Sequence, residues 1–205
     1  MAKNINICNA ERPMNFDQMV GQKTVVENLR QQAIRKEFFQ CYILEGQFGS
    51  GKTTMARIIS RAINCEHPDE HGNPCGCCES CKAVSSGSSD IVELDAASNT
   101  GVDSIRAIKE SVDFLPSQLK KKVYIIDEVQ KLSSSAFDAL LKVLEEPPEH
   151  VVFIMCTTES KKIPVTVRSR AACYQFGQIS EAEIAGRLIA VSYTHLRAHE
   201  TLANL

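Results

Sequence analysis

A glycine-rich segment, Gly46–Thr53, has the residue types and spacing of a phosphate-binding loop. It reads Gly-Gln-Phe-Gly-Ser-Gly-Lys-Thr and matches the pattern G-x-x-x-x-G-K-[ST]. Glycines let backbone N–H groups converge on phosphate oxygens where a helix begins. Lys52 is placed to bridge the β- and γ-phosphates, and Thr53 offers its hydroxyl to Mg²⁺. The loop predicts an ATP site made by Gly46, Gly49, Ser50, Gly51, Lys52, Thr53 and Thr54.

Two carboxylates, Asp127 and Glu128, follow the apolar run Val123–Ile126. Ligands of parallel α/β sheets bind at the carboxyl ends of strands, so Asp127 is predicted to hold Mg²⁺ and Glu128 to polarise the attacking water. An Asp-Glu pair is also common as surface charge, but its combination with the phosphate loop favours ATP hydrolysis. Thr157 and Thr158 end the next apolar run, where one hydroxyl either senses the γ-phosphate or caps the strand.

Four cysteines in a short segment have the spacing of metal ligands. Pairs separated by two residues can turn their thiolates onto one tetrahedral ion, which predicts a structural Zn²⁺ site with no open position for water. Iron–sulfur clusters use similar spacing, although nothing else in the sequence suggests redox chemistry. The predicted ligands are Cys65, Cys75, Cys78 and Cys81, with Cys77, His67 and His71 as alternatives. The other cysteines are interpreted as small core or surface residues: Cys8, Cys41, Cys156 and Cys173.

The composition is that of a globular protein, with 205 residues, 43% hydrophobic and 23% charged. The net charge of −2 gives no global attraction to nucleic acid, so any DNA contact must be local. The sequence lacks an 18-residue apolar stretch and a secretory leader pattern, so we expect a cytoplasmic protein without a membrane span. In such a protein the cysteines favour metal binding or free thiols over disulfides.

Apolar runs typical of strands alternate with helical patterns along the chain. This alternation predicts a parallel five-stranded α/β sheet flanked by helices. Residues 65–90 are rich in Cys, Gly, Ser and Pro and are predicted to be an irregular insertion. The predicted strands are 41–45, 91–94, 123–126, 151–156 and 173–176. The predicted helices are 25–34, 52–64 and 133–146, with others near Val102 and from Glu181.

The helix near Val102 carries a candidate DNA contact at its beginning. Ser98, Asn99 and Thr100 signal the helix start, and N–H groups there can meet a phosphate backbone, with Arg106 as a weaker candidate. An ordinary helix cap explains the same residues.

Together these motifs resemble the gamma/tau subunits of bacterial DNA polymerase III, which are AAA+ clamp-loader ATPases. The resemblance runs from about Arg12 to Leu188. A zinc loop between the two nucleotide motifs is specific to this family among AAA+ proteins. Further carriers are Arg12-Pro13, Gly21-Gln22, Asn64-Cys65, Glu93-Leu-Asp-Ala-Ala-Ser98, Ala139-Leu-Leu-Lys-Val-Leu-Glu-Glu-Pro-Pro148, Thr157-Thr158-Glu159, Lys162-Ile-Pro164 and Ser169-Arg170.

The resemblance implies partners and one further catalytic residue. Arg170 matches an arginine that reaches the ATP of a neighbouring subunit, and the implied partners are the other subunits of a hetero-pentamer, the sliding clamp and primed DNA. Polymerase and helicase contacts are expected only in a C-terminal region beyond these residues. Ala171 stands where the family has cysteine, and Gln130 where it usually has histidine. Residues 1–11 lack the usual aromatic and basic opening that contacts adenine.

The end of the chain has a separate interpretation. Val191–Thr201 back-translates to a string that resembles a transposon adapter from sequencing libraries. We therefore expect 191–205 to be non-native, 178–190 to begin a truncated helical lid, and 1–177 to form the ATPase domain.

Two other functions fit parts of the sequence. A different AAA+ loader or a branch-migration ATPase is one alternative, which the cysteine quartet disfavours. A non-hydrolysing, zinc-stabilised assembly subunit is the other alternative, which the intact Lys52, Thr53, Asp127 and Glu128 disfavour.

Overall fold

The computed structural model describes residues 11–98 and 101–203, with side chains in the last helix described as far as residue 192. Its centre is a five-stranded parallel sheet in the order β2-β3-β4-β1-β5. The strands are β1 Cys41–Gly46, β2 Ile91–Asp95, β3 Lys122–Asp127, β4 Val151–Thr157 and β5 Ala172–Phe176. The predicted parallel α/β sheet is therefore confirmed.

The three central strands are buried on both faces, as their continuous apolar runs predict. Alternate side chains point to opposite faces of the sheet and build two separate cores. Tyr124 and Phe153 stack in one core with ring centroids 5.2 Å apart. Because β1, β3 and β4 are parallel neighbours, their carboxyl ends meet at one edge, where the predicted catalytic residues lie.

Helices cover both faces of the sheet. One face carries α1 Lys23–Arg35 and α2 Lys52–Asn64, and the other carries α4 Val102–Val112 and α5 Ser134–Glu145. The short helix α6, Val165–Arg168, precedes β5, and α7 spans Glu181–Ala203. Short 3₁₀ turns occur at Phe16–Gln18, Val129–Lys131 and Ser160–Lys162.

The prediction that residues 65–90 are irregular was wrong for Glu79–Ser86, which form the helix α3. The Cys78 sulfur caps its first turn by accepting from the Cys81 N–H, and Gly87 ends it with φ of 87°. Cysteine and serine are weak helix formers, so helical periodicity was not visible. Capping and packing against α2 stabilise this helix.

The predicted start of α4 falls partly outside the described residues, because Asn99 and Thr100 are not described. The described helix begins at Val102, after Gly101. Among the described residues, no helix is long and apolar enough to cross a membrane.

Candidate nucleotide site and cysteine cluster

The glycine-rich loop joins β1 to α2 and holds its lysine in place. Gly51 precedes the helix with φ of 96°, a left-handed conformation that favours glycine. At Gly46 a Cβ atom would lie 2.7 Å from Phe176 Cβ, so only glycine fits beside β5. Lys52 is 6% exposed, and its ammonium donates to the carbonyls of Gly46 and Gln47, each at 2.9 Å.

The first acidic residue lies directly beside the loop. Asp127 ends β3, and its Oδ2 accepts a 2.7 Å hydrogen bond from the Thr53 hydroxyl. Its other oxygen, Oδ1, accepts from the Glu128 N–H at 3.0 Å. Two oxygen groups meeting at this distance suit a hard divalent cation, so Thr53 and Asp127 fit the predicted Mg²⁺ ligand set.

One cavity of about 280 Å³ gathers most of the predicted phosphate and acidic residues. It is lined by Gly49, Gly51, Lys52, Thr53, Thr54, Asp127 and Glu128, together with Arg12 and Phe48. Two residues of the predicted ATP site, Gly46 and Ser50, do not line this cavity. The Gly46 carbonyl receives Lys52, while the Ser50 hydroxyl is buried without a hydrogen-bond partner.

Glu128 belongs to a side-chain network that the sequence did not predict. Gln130 donates its amide N–H groups to the Glu128 carboxylate and, at 2.8 Å, to the Thr158 hydroxyl. Its amide oxygen accepts from Thr157 at 2.7 Å. Thr157 is fully buried and also accepts from the Glu159 N–H, so it reaches Glu128 through Gln130. The sequence contains one signal of this network, the glutamine at position 130 where the family usually has histidine.

A larger apolar cavity of about 400 Å³ adjoins the loop. The lining includes Pro13, Met19 and Val20 from the N-terminal segment and Ile184 and Leu188 from α7. Gly51 and Thr54 connect this cavity to the phosphate side. The pairing of Ile184 with Leu188, four residues apart on a helix, was the signal that sequence reasoning overlooked.

Arg170 is not among the residues that line the phosphate cavity or the apolar cavity. Its guanidinium donates to the Thr166 carbonyl at 2.7 Å and lies 3.5 Å from Glu145. Its side chain is 38% exposed, so it is available at the surface.

The structure brings together the four predicted metal ligands. The sulfur atoms of Cys65, Cys75, Cys78 and Cys81 all lie within 4.8 Å of one another. The surroundings of these cysteines shift their pKa values in different directions. Burial raises the pKa of Cys65 and Cys81. Burial also opposes ionisation of Cys75, but backbone N–H donors from Cys78 and Cys77 outweigh it and lower its pKa to about 6.

The sulfur geometry fits a zinc site. Two of the sulfurs each accept a hydrogen bond from a backbone N–H three residues later. The Cys78 N–H donates to the Cys75 sulfur and the Cys81 N–H to the Cys78 sulfur, both at 3.4 Å. Such donors stabilise thiolates around a metal. Cys77 is exposed and lies outside this group of sulfurs.

Comparison with known proteins places the chain in a family. A family model described as "DNA polymerase III, delta subunit" matches residues 21–180. DNA polymerase III subunit tau of Bacillus subtilis is 49% identical over 180 residues, covering 86% of this chain and 31% of that protein. Subunit gamma of Buchnera aphidicola is 41% identical over 174 residues, covering 84% and 48%. The chain belongs to the DNA polymerase III gamma/tau family.

Solved structures show the same fold as this gamma/tau family chain. A gamma subunit-related protein from Thermotoga maritima has a TM-score of 0.57 at 23% identity, covering 75% of this chain and 47% of that one. A RuvB mutant from Thermotoga maritima has a TM-score of 0.66 at 19% identity, covering 92% and 56%. The chain spans less than half the length of the two curated relatives described above.

Proposed function

We propose that this chain is the ATPase motor of a bacterial clamp loader, in which ATP binding drives loading of the sliding clamp onto primed DNA. One observation carries the proposal: Lys52, Thr53, Asp127 and Glu128 line a single cavity, with Thr53 hydrogen-bonded to Asp127 at 2.7 Å. This combination provides a phosphate cation, two metal ligands and a carboxylate for water, which phosphoryl transfer to water requires.

The two adjoining cavities suit the two ends of ATP. The polar cavity beside Lys52 would take the phosphates and Mg²⁺, and the apolar cavity beside Met19 and Leu188 would take the base. A nucleotide bound in this way would pass over Gly51 and Thr54, which line both cavities.

We further propose that the cysteine cluster binds one structural Zn²⁺ ion. Four converging sulfurs with a tetrathiolate donor set fit zinc and leave no position for a reacting water. The ion would stabilise the loop between α2 and α3, since structural zinc contributes to folding directly.

The partners of this chain are proposed from its membership of the family. The partners would be other clamp-loader subunits in a hetero-pentamer, the sliding clamp and primed DNA, all in the cytoplasm. The exposed Arg170 side chain supports a contact with a neighbouring subunit's ATP. DNA contact at Ser98–Thr100, polymerase and helicase contacts elsewhere, and the division into 1–177, 178–190 and 191–205 stay predictions.

The test compares two single substitutions. Lys52→Ala should abolish nucleotide binding, because the phosphate charge loses the buried ammonium. Glu128→Gln should keep ATP bound and lose turnover, because a neutral amide cannot polarise water. Binding is measured with a fluorescent ATP analogue and turnover by phosphate release.

Three outcomes would oppose the proposal. Normal ATP affinity in Lys52→Ala would remove the phosphate-site assignment. Unchanged turnover in Glu128→Gln, with ATP bound normally, would remove the role of this carboxylate in polarising water. ATP binding without any turnover in the unsubstituted chain would favour the non-hydrolysing assembly subunit.

A further inference from the structure

Arg61 is a buried cation without a matching carboxylate. The residue is 8% exposed, and its Nε atom has no hydrogen-bond partner. Its Nη1 makes only a long 3.4 Å contact with the Met14 carbonyl. In the part of the chain that the structure describes, no ion pair joins Arg61 to an acidic residue. A buried guanidinium normally has a paired anion. The one carboxylate in the same cavity, Glu93, is already bonded to Arg57.

The cysteine cluster lies at the right place to supply that charge. Cys65 follows Arg61 by one helical turn, and its N–H donates to the Arg61 carbonyl at 2.8 Å. Residues four apart lie on the same face of a helix. Arg61 also lines a cavity together with Ser85 of α3, whose hydroxyl donates to the Cys81 carbonyl at 2.9 Å. Arg61 therefore lies beside the part of the backbone that carries two of the four cysteines, Cys65 and Cys81.

Charge balance connects the two features. Four thiolates around one divalent zinc ion leave a net negative charge that is itself partly buried, because Cys65 and Cys81 are 5% and 1% exposed. The neighbouring Arg57 cannot neutralise it, since both its Nε and Nη2 bond to Glu93 at 2.7 and 2.6 Å. Arg61 is therefore the described arginine of this helix whose guanidinium has no carboxylate partner.

We propose that Arg61 is the buried counter-cation of the metal site, stabilising the zinc-bound thiolates from the helix that also carries Lys52 and Thr53. The inference rests on the proposed zinc site and adds a residue outside the four ligands. Groups surrounding a metal site typically change its affinity by about 10–100-fold when substituted.

The experiment measures zinc affinity of the purified chain by competition with a chromophoric chelator. Arg61→Gln should lower zinc affinity by about 10–100-fold, while Arg61→Lys should recover part of the loss by restoring the charge. Arg57→Gln is the matched control one turn earlier on α2, and it should bind zinc like the unsubstituted chain. Cobalt substitution should show the same thiolate charge-transfer bands in every variant, because the ligands are unchanged.

Each contrary result has its own meaning. Equal zinc affinity in Arg61→Gln and the unsubstituted chain would overturn the inference and leave the zinc site standing. An unsubstituted chain that binds no zinc would overturn both. Equal losses in Arg57→Gln would show a general effect on the helix and would also overturn the inference. If Arg61→Gln folds poorly, saturating zinc should restore its helical circular dichroism by mass action. Failure to restore it would also overturn the inference.

Discussion

At the scale of single residues, the geometry of Glu128 depends on side chains far away in the sequence. Its backbone has φ of 50°, an uncommon conformation for a residue other than glycine. Its carboxylate is bonded by Gln130, which also binds Thr157 on β4. Gln130 is 8% exposed and thus connects the strand end to the carboxylate without itself lining the phosphate cavity.

We therefore predict that Gln130→Ala lowers turnover while ATP affinity stays near normal, because Lys52 and Thr53 are untouched but Glu128 loses a holding donor. Single-turnover hydrolysis and ATP titration separate the two effects. Gln178→Ala is a control, since that glutamine contacts Gln47 at the exposed rim. Full turnover in Gln130→Ala would show that Glu128 is positioned without Gln130, by its backbone and the Thr158 hydroxyl.

A second residue-scale prediction concerns the metal ligands. Cys78→Ser should abolish stoichiometric zinc binding, whereas Cys77→Ser should retain it, because the Cys77 sulfur lies outside the cluster. Elemental analysis of the purified variants measures this directly. The opposite pattern would exchange the two residues in the ligand set, and no metal in the unsubstituted chain would refute the site.

At the scale of elements, the cysteine-containing loop is joined to the N-terminal segment by Asn73. Its amide oxygen accepts from the Phe16 N–H at 3.1 Å, and its amide nitrogen donates to Asp17 at 2.7 Å. Asp17 in turn pairs with Arg30 on α1 at 2.6 Å. The same N-terminal segment supplies Pro13 and Met19 to the apolar cavity. The loop therefore supports a wall of the proposed base site.

Asn73→Ala should destabilise the fold by about 1–3 kcal/mol, because it leaves the buried Phe16 N–H unpaired. It should also weaken ATP binding by loosening that wall. Thermal unfolding and nucleotide titration measure the two effects, with His71→Ala as an exposed control in the same loop. Stability loss without weaker ATP binding would separate the loop from the base site.

The sequence predicted those elements whose signals are local. The loop Gly46–Thr53, the carboxylates after a uniformly apolar strand and the cysteine spacing each lie within a few residues, and the structure groups them as expected. The Gln130 network and the Asn73 contacts join residues up to 57 positions apart, which no local pattern reveals. Helix α3 was missed because its stability comes from caps and packing.

At the scale of the whole molecule, the position of Arg170 predicts that the isolated chain hydrolyses ATP slowly. This arginine contacts Thr166 and Glu145 and is not among the residues lining its own phosphate cavity. A cation at the transferring phosphate accelerates phosphoryl transfer by about 10³–10⁵-fold, so a single chain would lack the contribution proposed for Arg170.

Steady-state ATPase assays over a range of chain concentrations test this. Turnover should be slow at every dilution, and Arg170→Ala should change it little in the isolated chain. In an assembled loader the same substitution should remove turnover without removing bound ATP. Brisk, concentration-independent turnover by the isolated chain would show that one chain holds a complete catalytic site.

The contacts of Lys52 have a consequence for the exchange of nucleotide in the proposed ATPase. Two of the three N–H donors of its ammonium bond to carbonyls of its own loop. A bound phosphate would compete with these carbonyls for the ammonium, and the carbonyls would take it back when a product leaves. The loop would thus act as an internal competitor of the nucleotide, lowering the affinity for ATP and favouring the release of ADP.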